Sequence, residues 1–148
     1  MSPVAQSCPF CEIVRREDPY AREVYRDDHV VAFFPTKPAT LGHTMIIPRQ
    51  HIPDLWSLDE ETATFLAHAT LRVSKAVLFA LKPGGLNVIQ SNGETATQTV
   101  LHLHVHVVPR WEGDALGNIW PDETHFTDHQ KDDAQERIRQ SLKRASTR

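Results

Sequence analysis

The stretch Val100-Leu101-His102-Leu103-His104-Val105-His106-Val107-Val108 decides the fold class of this chain, because histidines and apolar residues alternate along it. Successive side chains of a β-strand point to opposite faces of the sheet. We therefore expect a strand over Val100–Val108, with the three histidines on one face and the leucines and valines from Leu101 to Val107 in the core. Burying three imidazoles without partners is costly, so the histidine face should line a cleft or meet polar groups.

Four shorter strands are predicted before this stretch. Val24-Tyr25 and Val30–Phe34 flank a polar turn, which is typical of a hairpin. Thr44–Ile47 is a third strand and Leu86–Ile89 a fourth. Strands grouped around a single long helix indicate an α+β fold, here with an antiparallel sheet of about five strands.

The long helix is predicted to begin at a capping box, in which Ser57 is the N-cap and Glu60 follows three residues later. Lys82-Pro83-Gly84-Gly85 should end it. Apolar residues that recur every three or four positions predict its buried face. They are Phe65, Ala69, Val73, Ala76, Val77 and Ala80.

The composition is that of one globular domain. The chain has 148 residues, 40% of them hydrophobic and 24% charged. Its net charge of -3 leaves no broad basic surface, so no nucleic-acid partner is expected. Residues Met1–Ser7 lack the features of a signal peptide, and no apolar run approaches the roughly 20 residues that span a bilayer. These features predict a cytoplasmic location and no membrane partner.

Three interpretations of the histidine strand are open from the residues alone. The first is that the histidines are structural or lie at the surface. The second is a metal centre, although His102 and His106 would be about 13 Å apart along a strand, too far for one ion bound by all three. The third is nucleophilic and acid–base catalysis on a phosphate ester, with neighbouring imidazoles in different protonation states.

The two cysteines pose a separate question. Cys8 and Cys11 are separated by two residues, a usual spacing for a metal pair, and in a reducing compartment a metal or redox pair is favoured over a structural disulfide. A structural zinc needs four ligands, of which this pair supplies two. Two free thiols without metal are the alternative.

With these residues in view, the sequence resembles the histidine triad (HIT) family. That family is marked by His-φ-His-φ-His-φ-φ, where φ is apolar, and His102–Val108 matches it without exception. The resemblance extends to Cys8–Cys11, to Gly42–Pro48 and to Gln98-Thr99-Val100. It covers about residues 8–114 as the core of a single domain spanning 1–148, with 115–148 as an extension that ends in a polar helix or tail over Asp128–Arg144.

Within that family, Pro109-Arg110-Trp111-Glu112-Gly113-Asp114 looks like the fragile-histidine-triad and dinucleoside polyphosphate phosphorylase branches. A glutamine at the third histidine position would have suggested a transferase, so His106 favours hydrolysis.

The resemblance implies a role for each matching residue. His104 would attack the α-phosphorus of a nucleotide and form a covalent nucleotidyl intermediate, His106 would bind phosphate and leaving group, and His43 would orient the site. Gln98 and Thr99 would contact phosphate and leaving group. The resemblance also implies a structural zinc, with His51 and His102 completing the Cys8–Cys11 pair, and a homodimer built across the long helix and a central strand.

One position departs from the family pattern. The family often carries an acidic residue or asparagine for the ribose hydroxyls in the loop before Gly42-His43, and Pro35 stands there in this chain. Proline offers no side-chain acceptor, so Ser91 or Asn92 is expected to compensate.

The leading hypothesis is therefore a nucleotidyl hydrolase acting on a nucleoside phosphate, a dinucleoside polyphosphate or a phosphoramidate. A phosphorylase that uses inorganic phosphate, a catalytically weak nucleotide-binding module and a metal-dependent hydrolase are the alternatives.

Overall fold

A computed structural model of the chain describes residues 7–146. The N-terminal residues 1–6, on which most of the signal-peptide prediction rests, lie outside the described residues. The chain divides into two compact units, residues 1–117 and residues 118–148. The first unit contains the sheet and the long helix, and the second contains the C-terminal helix.

The first unit is built on a five-stranded sheet of order β1-β2-β3-β5-β4, in which every pairing is antiparallel. The predicted α+β class and the antiparallel sheet are thereby confirmed. A short helix α1 over Pro9–Val14 precedes the sheet, and the long helix α2 lies between β3 and β4. The strands are β1 over Glu23–Arg26, β2 over Val30–Phe33, β3 over Thr44–Pro48, β4 over Gly85–Gln90 and β5 over Val105–Arg110.

The histidine strand is shorter than predicted, because β5 begins at Val105 and not at Val100. The last residue of β3 that pairs with it is Ile46, opposite Val105, and two residues further along β3 stands Pro48, which has no N–H to donate. The preceding segment bonds elsewhere: the amide of Leu103 donates to the carbonyl of Ile52 at 2.7 Å. His102 and His104 therefore precede the strand.

The alternation predicted for this segment is wrong at its start. Leu101 was expected in the core and is 58% exposed, whereas Leu103, Val105 and Val107 are buried as expected. Leu101 lies outside the paired part of the sheet, so no strand geometry turns its side chain inward.

Helix α2 runs over Glu60–Leu81 and is capped by Asp59, whose carboxylate accepts the amide of Thr62 at 2.9 Å. The predicted N-cap, Ser57, is wrong. Ser57 closes a 3-10 turn over Leu55–Ser57, in which its amide donates to Asp54. The predicted C-terminus is confirmed, because the chain leaves the helix through Lys82 in the left-handed region at φ 49°.

The buried face of α2 is only partly as predicted. Ala69 and Val73 are buried, together with Leu66, and Phe65 and Val77 are partly buried. Ala76 and Ala80 are exposed, contrary to expectation. They line an open apolar cleft of about 340 Å³, whose other walls include Val24, Tyr25 and Thr44 of the sheet.

The two faces of the sheet carry different cores. On one face α2 packs against a cluster of Val30, Ala32, Ile46, Leu103, Val105 and Val107. On the other face α1 and its N-cap residue Cys8 supply Phe10, Cys11, Ile13 and Cys8 itself, which pack against Val31, Phe33, Met45 and Ile47. The histidines lie beside this second, smaller core.

One described helix, α2, is long and apolar enough to cross a membrane by length and composition. Three of its residues instead pack on the sheet, as in the core helix of an α+β domain. The predicted absence of a membrane partner is not tested by this and stays a prediction.

The second unit contains α3, over Asp128–Ser146, which agrees with the predicted polar C-terminal helix. Its side chains form pairs along the helix, such as Lys131 with Asp128 at 2.9 Å and Arg137 with Asp133 at 3.4 Å.

Candidate active site

His104 is held with one ring nitrogen bonded and the other available. Its Nδ1 lies 2.9 Å from the backbone carbonyl of His102. A carbonyl only accepts, so Nδ1 carries the proton and Nε2 keeps a lone pair. That Nε2 has no partner within residues 7–146. The ring is buried, and the ring of Phe10 packs against it edge to face at 5.1 Å.

His106 and His43 form a directly bonded pair beside His104. Nε2 of His43 lies 2.9 Å from Nδ1 of His106. Of the three motif histidines, His106 is the one within β5, where it lies opposite Met45 of β3 and Ile89 of β4. The rings of His104 and His106 are 4.8 Å apart, so the three imidazoles predicted to carry the chemistry are adjacent.

All three rings are biased toward the neutral form. Burial lowers the pKa of His104, although the bond from its Nδ1 to the His102 carbonyl opposes this. Burial, then the charges of His104 and His43, lower the pKa of His106 to about 4. Burial and the His104 charge also lower the pKa of His43. Near neutral pH, His104 therefore offers a lone pair and not a cation.

A small pocket lies beside Phe10, and its lining residues include none of these three histidines. Its volume is about 180 Å³, and Phe10, which contacts His104, forms part of its wall. Further walls come from aromatic and apolar residues of α1 and β2, and charged and polar groups lie at Asp18, Arg22 and Thr36. Pro35 is one of its lining residues. The pocket combines apolar walls with a few polar groups, as sites for small molecules do.

Two of the predicted substrate-binding residues are already bonded within the protein. Gln98 is buried; its amide nitrogen donates to the carbonyls of Pro53 at 2.7 Å and Val100 at 3.0 Å, and its oxygen accepts from Gly93. Asn92 exchanges two amide hydrogen bonds with Gln90 and accepts from the amide of Leu55. In this structure both side chains hold the loops around the site.

Thr99 and Ser91 are placed differently. Thr99 is exposed and Ser91 is half-buried, and their hydroxyls have no hydrogen-bond partner in the part of the chain that the structure describes. Both hydroxyls are free to meet a ligand, and their predicted contacts with substrate stay predictions.

Cys8, Cys11, His51 and His102 come together as a second cluster, whose donor atoms all lie within 4.8 Å of one another. Nδ1 of His102 is 3.5 Å from both sulfurs, and Nδ1 of His51 is 3.2 Å from Cys11 Sγ. Around a tetrahedral zinc, donors at the usual bond lengths lie roughly 3.3–3.8 Å apart. The donor set and its spacing therefore fit a structural zinc site.

The ring of His102 is oriented for that cluster. Its Nε2 donates to the carbonyl of Pro48 at 2.8 Å, which leaves the Nδ1 lone pair facing the two sulfurs. Burial, then the hydrogen bond and charge of Cys8, raise the pKa of Cys11 to about 11, so a nearby cation is needed to stabilise its thiolate.

The prediction from sequence missed Phe10. This residue was considered only as part of the spacing between the two cysteines. It lies against His104 and Phe33 and also lines the pocket. An apolar aromatic residue between two predicted metal ligands was the available signal.

Comparisons with known proteins identify the family of this chain. The model of the HIT domain matches residues 16–113. A Bacillus subtilis relative named "Protein hit" is 39% identical over 132 residues, 88% of this chain and 89% of its own length. An Arabidopsis thaliana relative named adenylylsulfatase HINT3 is 32% identical over 115 residues, 78% of this chain and 58% of its own length.

Solved structures are also similar to this chain over most of its length. A crystal structure of a HIT family member from Bacillus subtilis has a TM-score of 0.83 and 34% identity, covering 90% of this chain and 96% of that one. A zinc-bound histidine triad family protein from Mycobacterium smegmatis has a TM-score of 0.71 and 36% identity, covering 80% and 86%. Together with the family model and the His102–Val108 motif, these similarities show that the chain belongs to the HIT family.

Proposed function

We propose that the chain is a nucleotidyl hydrolase that acts through a covalent intermediate on His104. The observation that carries this proposal is the hydrogen bond between Nδ1 of His104 and the His102 carbonyl, at 2.9 Å, which leaves Nε2 as a neutral nucleophile. Membership of a family that includes a relative named as an adenylylsulfatase supports the same class of reaction.

The reaction takes two steps. In the first, the Nε2 lone pair of His104 forms a bond to the α-phosphorus, and the bond from phosphorus to the leaving group breaks, so that its electron pair departs with that group. In the second, a water oxygen attacks the same phosphorus and displaces His104. The water gives up one proton, a nucleoside monophosphate leaves, and the ring returns to its neutral state.

His106 and His43 would assist from one side. His106 contacts the ring of His104 and is bonded to His43 through Nδ1, so its Nε2 is the atom left to meet the phosphate oxygens. His43 fixes the plane of that ring. The hydroxyl of Thr99 would serve the leaving group.

The pocket beside Phe10 is the proposed seat of the nucleoside. Its volume of about 180 Å³ and its aromatic walls suit one base, and Phe10, which lines it, also packs against His104. Pro35 supplies no acceptor for the ribose hydroxyls, so we propose that Ser91 takes this role. Asn92, the other candidate, is already bonded to Gln90 and Leu55.

Cys8, Cys11, His51 and His102 would hold a structural zinc. When bound, the ion supplies the positive charge that stabilises the two thiolates and ties the N-terminal helix to the segment before β5. His104 and His106 are left for substrate. We also propose a cytoplasmic location, a compartment in which both cysteines would stay reduced.

A homodimer is proposed for the surface formed by α2 and β4. Strand β4 lies at the edge of the sheet, and a groove of about 600 Å³ between it and α2 is lined mainly by apolar side chains. Val88 and Leu71 on this surface are 52% and 56% exposed. A second copy of the chain would cover both.

The test is a substrate panel of a dinucleoside polyphosphate, a nucleoside phosphoramidate and adenylyl sulfate, with the wild type and His104→Ala. Turnover by the wild type alone, and a nucleotidyl adduct on His104 by mass spectrometry, would support the proposal. His68→Ala changes an exposed histidine of α2 and is the matched control. Equal turnover by wild type and His104→Ala would refute it.

Product analysis separates the remaining candidates. A nucleoside diphosphate formed only with added inorganic phosphate would indicate a phosphorylase. Nucleotide binding without turnover or adduct would indicate a binding module. Loss of adduct formation immediately on chelation, with the fold intact, would indicate a metal-dependent hydrolase.

A further inference from the structure

Both ring nitrogens of His43 are engaged, and their partners are of different kinds. The backbone amide of Ala39 lies 3.0 Å from Nδ1, and Nε2 lies 2.9 Å from Nδ1 of His106. A backbone amide only donates. Nδ1 of His43 must therefore accept, and the proton of the neutral ring is on Nε2.

This assignment determines the proton of His106 as well. Because Nε2 of His43 donates, Nδ1 of His106 accepts, and the neutral His106 ring carries its proton on Nε2. Across the described residues, that Nε2 has no protein partner. A phosphate placed there meets an N–H group, whereas the opposite tautomer would present a lone pair to anionic oxygens.

The amide of Ala39 is held in place by its loop. The hydroxyl of Thr40 donates to the carbonyl of Pro109 in β5 at 2.7 Å, and the amide of His43 donates to the carbonyl of Thr40 at 3.1 Å. Pro38 restricts the backbone on the other side. The amide is thus anchored to the strand that carries His106.

We propose that Ala39 is a positioning residue, whose backbone N–H selects the tautomers of His43 and His106 so that His106 meets the phosphate as a donor. The effect on catalysis rests on the proposed nucleotidyl chemistry, whereas the tautomers can be measured without any reaction. The methyl group of Ala39 has no part in this role.

The experiment replaces Ala39 with lactic acid in the full-length protein, which turns the amide into an ester and removes only the N–H. The readout is the ¹⁵N chemical shift of each imidazole nitrogen of His43 and His106. In the wild type both rings should carry the proton on Nε2. In the ester, a second population with the proton on Nδ1 of His43 should appear, and kcat should fall about fivefold, as for the loss of one hydrogen bond of ordinary strength.

Ala39→Gly keeps the N–H and is the matched control for the tautomers, because its imidazole ¹⁵N shifts should match those of the wild type. Ala39→Pro also removes the N–H and provides a second variant. Wild-type shifts that place the proton on Nδ1 of His43 would overturn the proposal without any variant. Unchanged tautomers in a folded ester variant would overturn it too. Tautomers that change as expected in a protein without nucleotide turnover would refute the proposed function alone.

Discussion

Two histidine clusters lie next to each other in this chain and differ in how their rings are used. In the cluster of Cys8, Cys11, His51 and His102, the Nδ1 lone pairs converge on the two sulfurs, with separations from 3.2 to 3.5 Å. His104 and His106 each have one ring nitrogen bonded to a backbone group or a neighbouring ring, whereas both nitrogens of His43 are bonded. The Nε2 atoms of His104 and His106 are left for a ligand.

The difference teaches that a histidine's role depends on the partner of its second nitrogen. His102 and His104 are two residues apart and both buried. The carbonyl of Pro48 accepts a hydrogen bond from Nε2–H of His102, so the Nδ1 lone pair is available to a metal. The carbonyl of His102 accepts a hydrogen bond from Nδ1–H of His104, so the Nε2 lone pair is available to phosphorus. Opposite tautomers follow from opposite bonding.

The largest expected effect is on kcat, from a substitution in the catalytic cluster alone. His104→Ala should lower kcat for the best nucleotide substrate by about 10⁴ or more, as expected for loss of a nucleophile. Its zinc content should equal that of the wild type, because His104 is not among the four donors. Steady-state kinetics and metal analysis measure the two effects. A loss of zinc equal to the loss of activity would show that the clusters are not separable.

The second prediction concerns the loss of one ligand from the metal cluster. Cys11→Ser removes one of two sulfur donors, so bound zinc should fall from about one equivalent toward zero. The unfolding free energy should fall by about 4 kcal/mol when free zinc is a thousandfold above its dissociation constant. Urea denaturation with defined zinc checks this. Wild type treated with a strong chelator should match the variant, and a variant as stable as the zinc-loaded wild type would contradict the prediction.

The third prediction concerns Gly42, in the loop that precedes His43. Gly42 has φ +92°, and a Cβ there would lie 2.4 Å from Cδ1 of Leu81. Gly42→Ala should therefore lower the unfolding free energy by about 2–3 kcal/mol. The control is Gly85→Ala, because a Cβ at Gly85 meets nothing within 4 Å. Equal melting temperatures for the two variants would contradict the expected strain.

The smallest effect concerns protonation. The pKa of His106 is lowered to about 4 in the folded state and is near its ordinary value of 6.5 when unfolded. As the pH falls, His106 is therefore protonated at a higher pH in the unfolded chain than in the folded one. Its contribution to the unfolding free energy is fully present above about pH 6.5 and is lost as the pH falls toward 4. His106→Asn should reduce this decline by about 1–2 kcal/mol, since the ring is only half-buried. Unfolding curves from pH 7 to 4.5 measure it, and identical pH dependence in both proteins would exclude His106 as its source.

Much of both clusters could be predicted from the sequence because their residues are close to strong local patterns. His104, His106 and the Cys8–Cys11 pair stand in short motifs, and the family resemblance supplied His43 and His51. The sheet could be predicted because β2, β3 and β5 contain short apolar runs next to turn residues or prolines. These features depend on neighbours in the chain.

What the sequence could not provide depends on partners far along the chain. The start of β5 is set by where β3 ends at Pro48 and by the bond between Leu103 and Ile52. The cap of α2 is at Asp59 and not at Ser57 for a local reason, because Ser57 ends a 3-10 turn in which its backbone amide donates to Asp54. The tautomers require the carbonyls of Pro48 and His102, which no spacing rule identifies.

The close approach of Gly42 to Leu81 has a consequence for sequence variation. A larger residue at position 42 would need a backbone that tolerates a positive φ, and the side chain at position 81 would have to move aside or be shorter. The end of helix α2 and the loop before His43 are 39 positions apart, yet their side chains share one space. In related chains, the size of the residue at position 81 should therefore vary together with that of the residue that precedes His43.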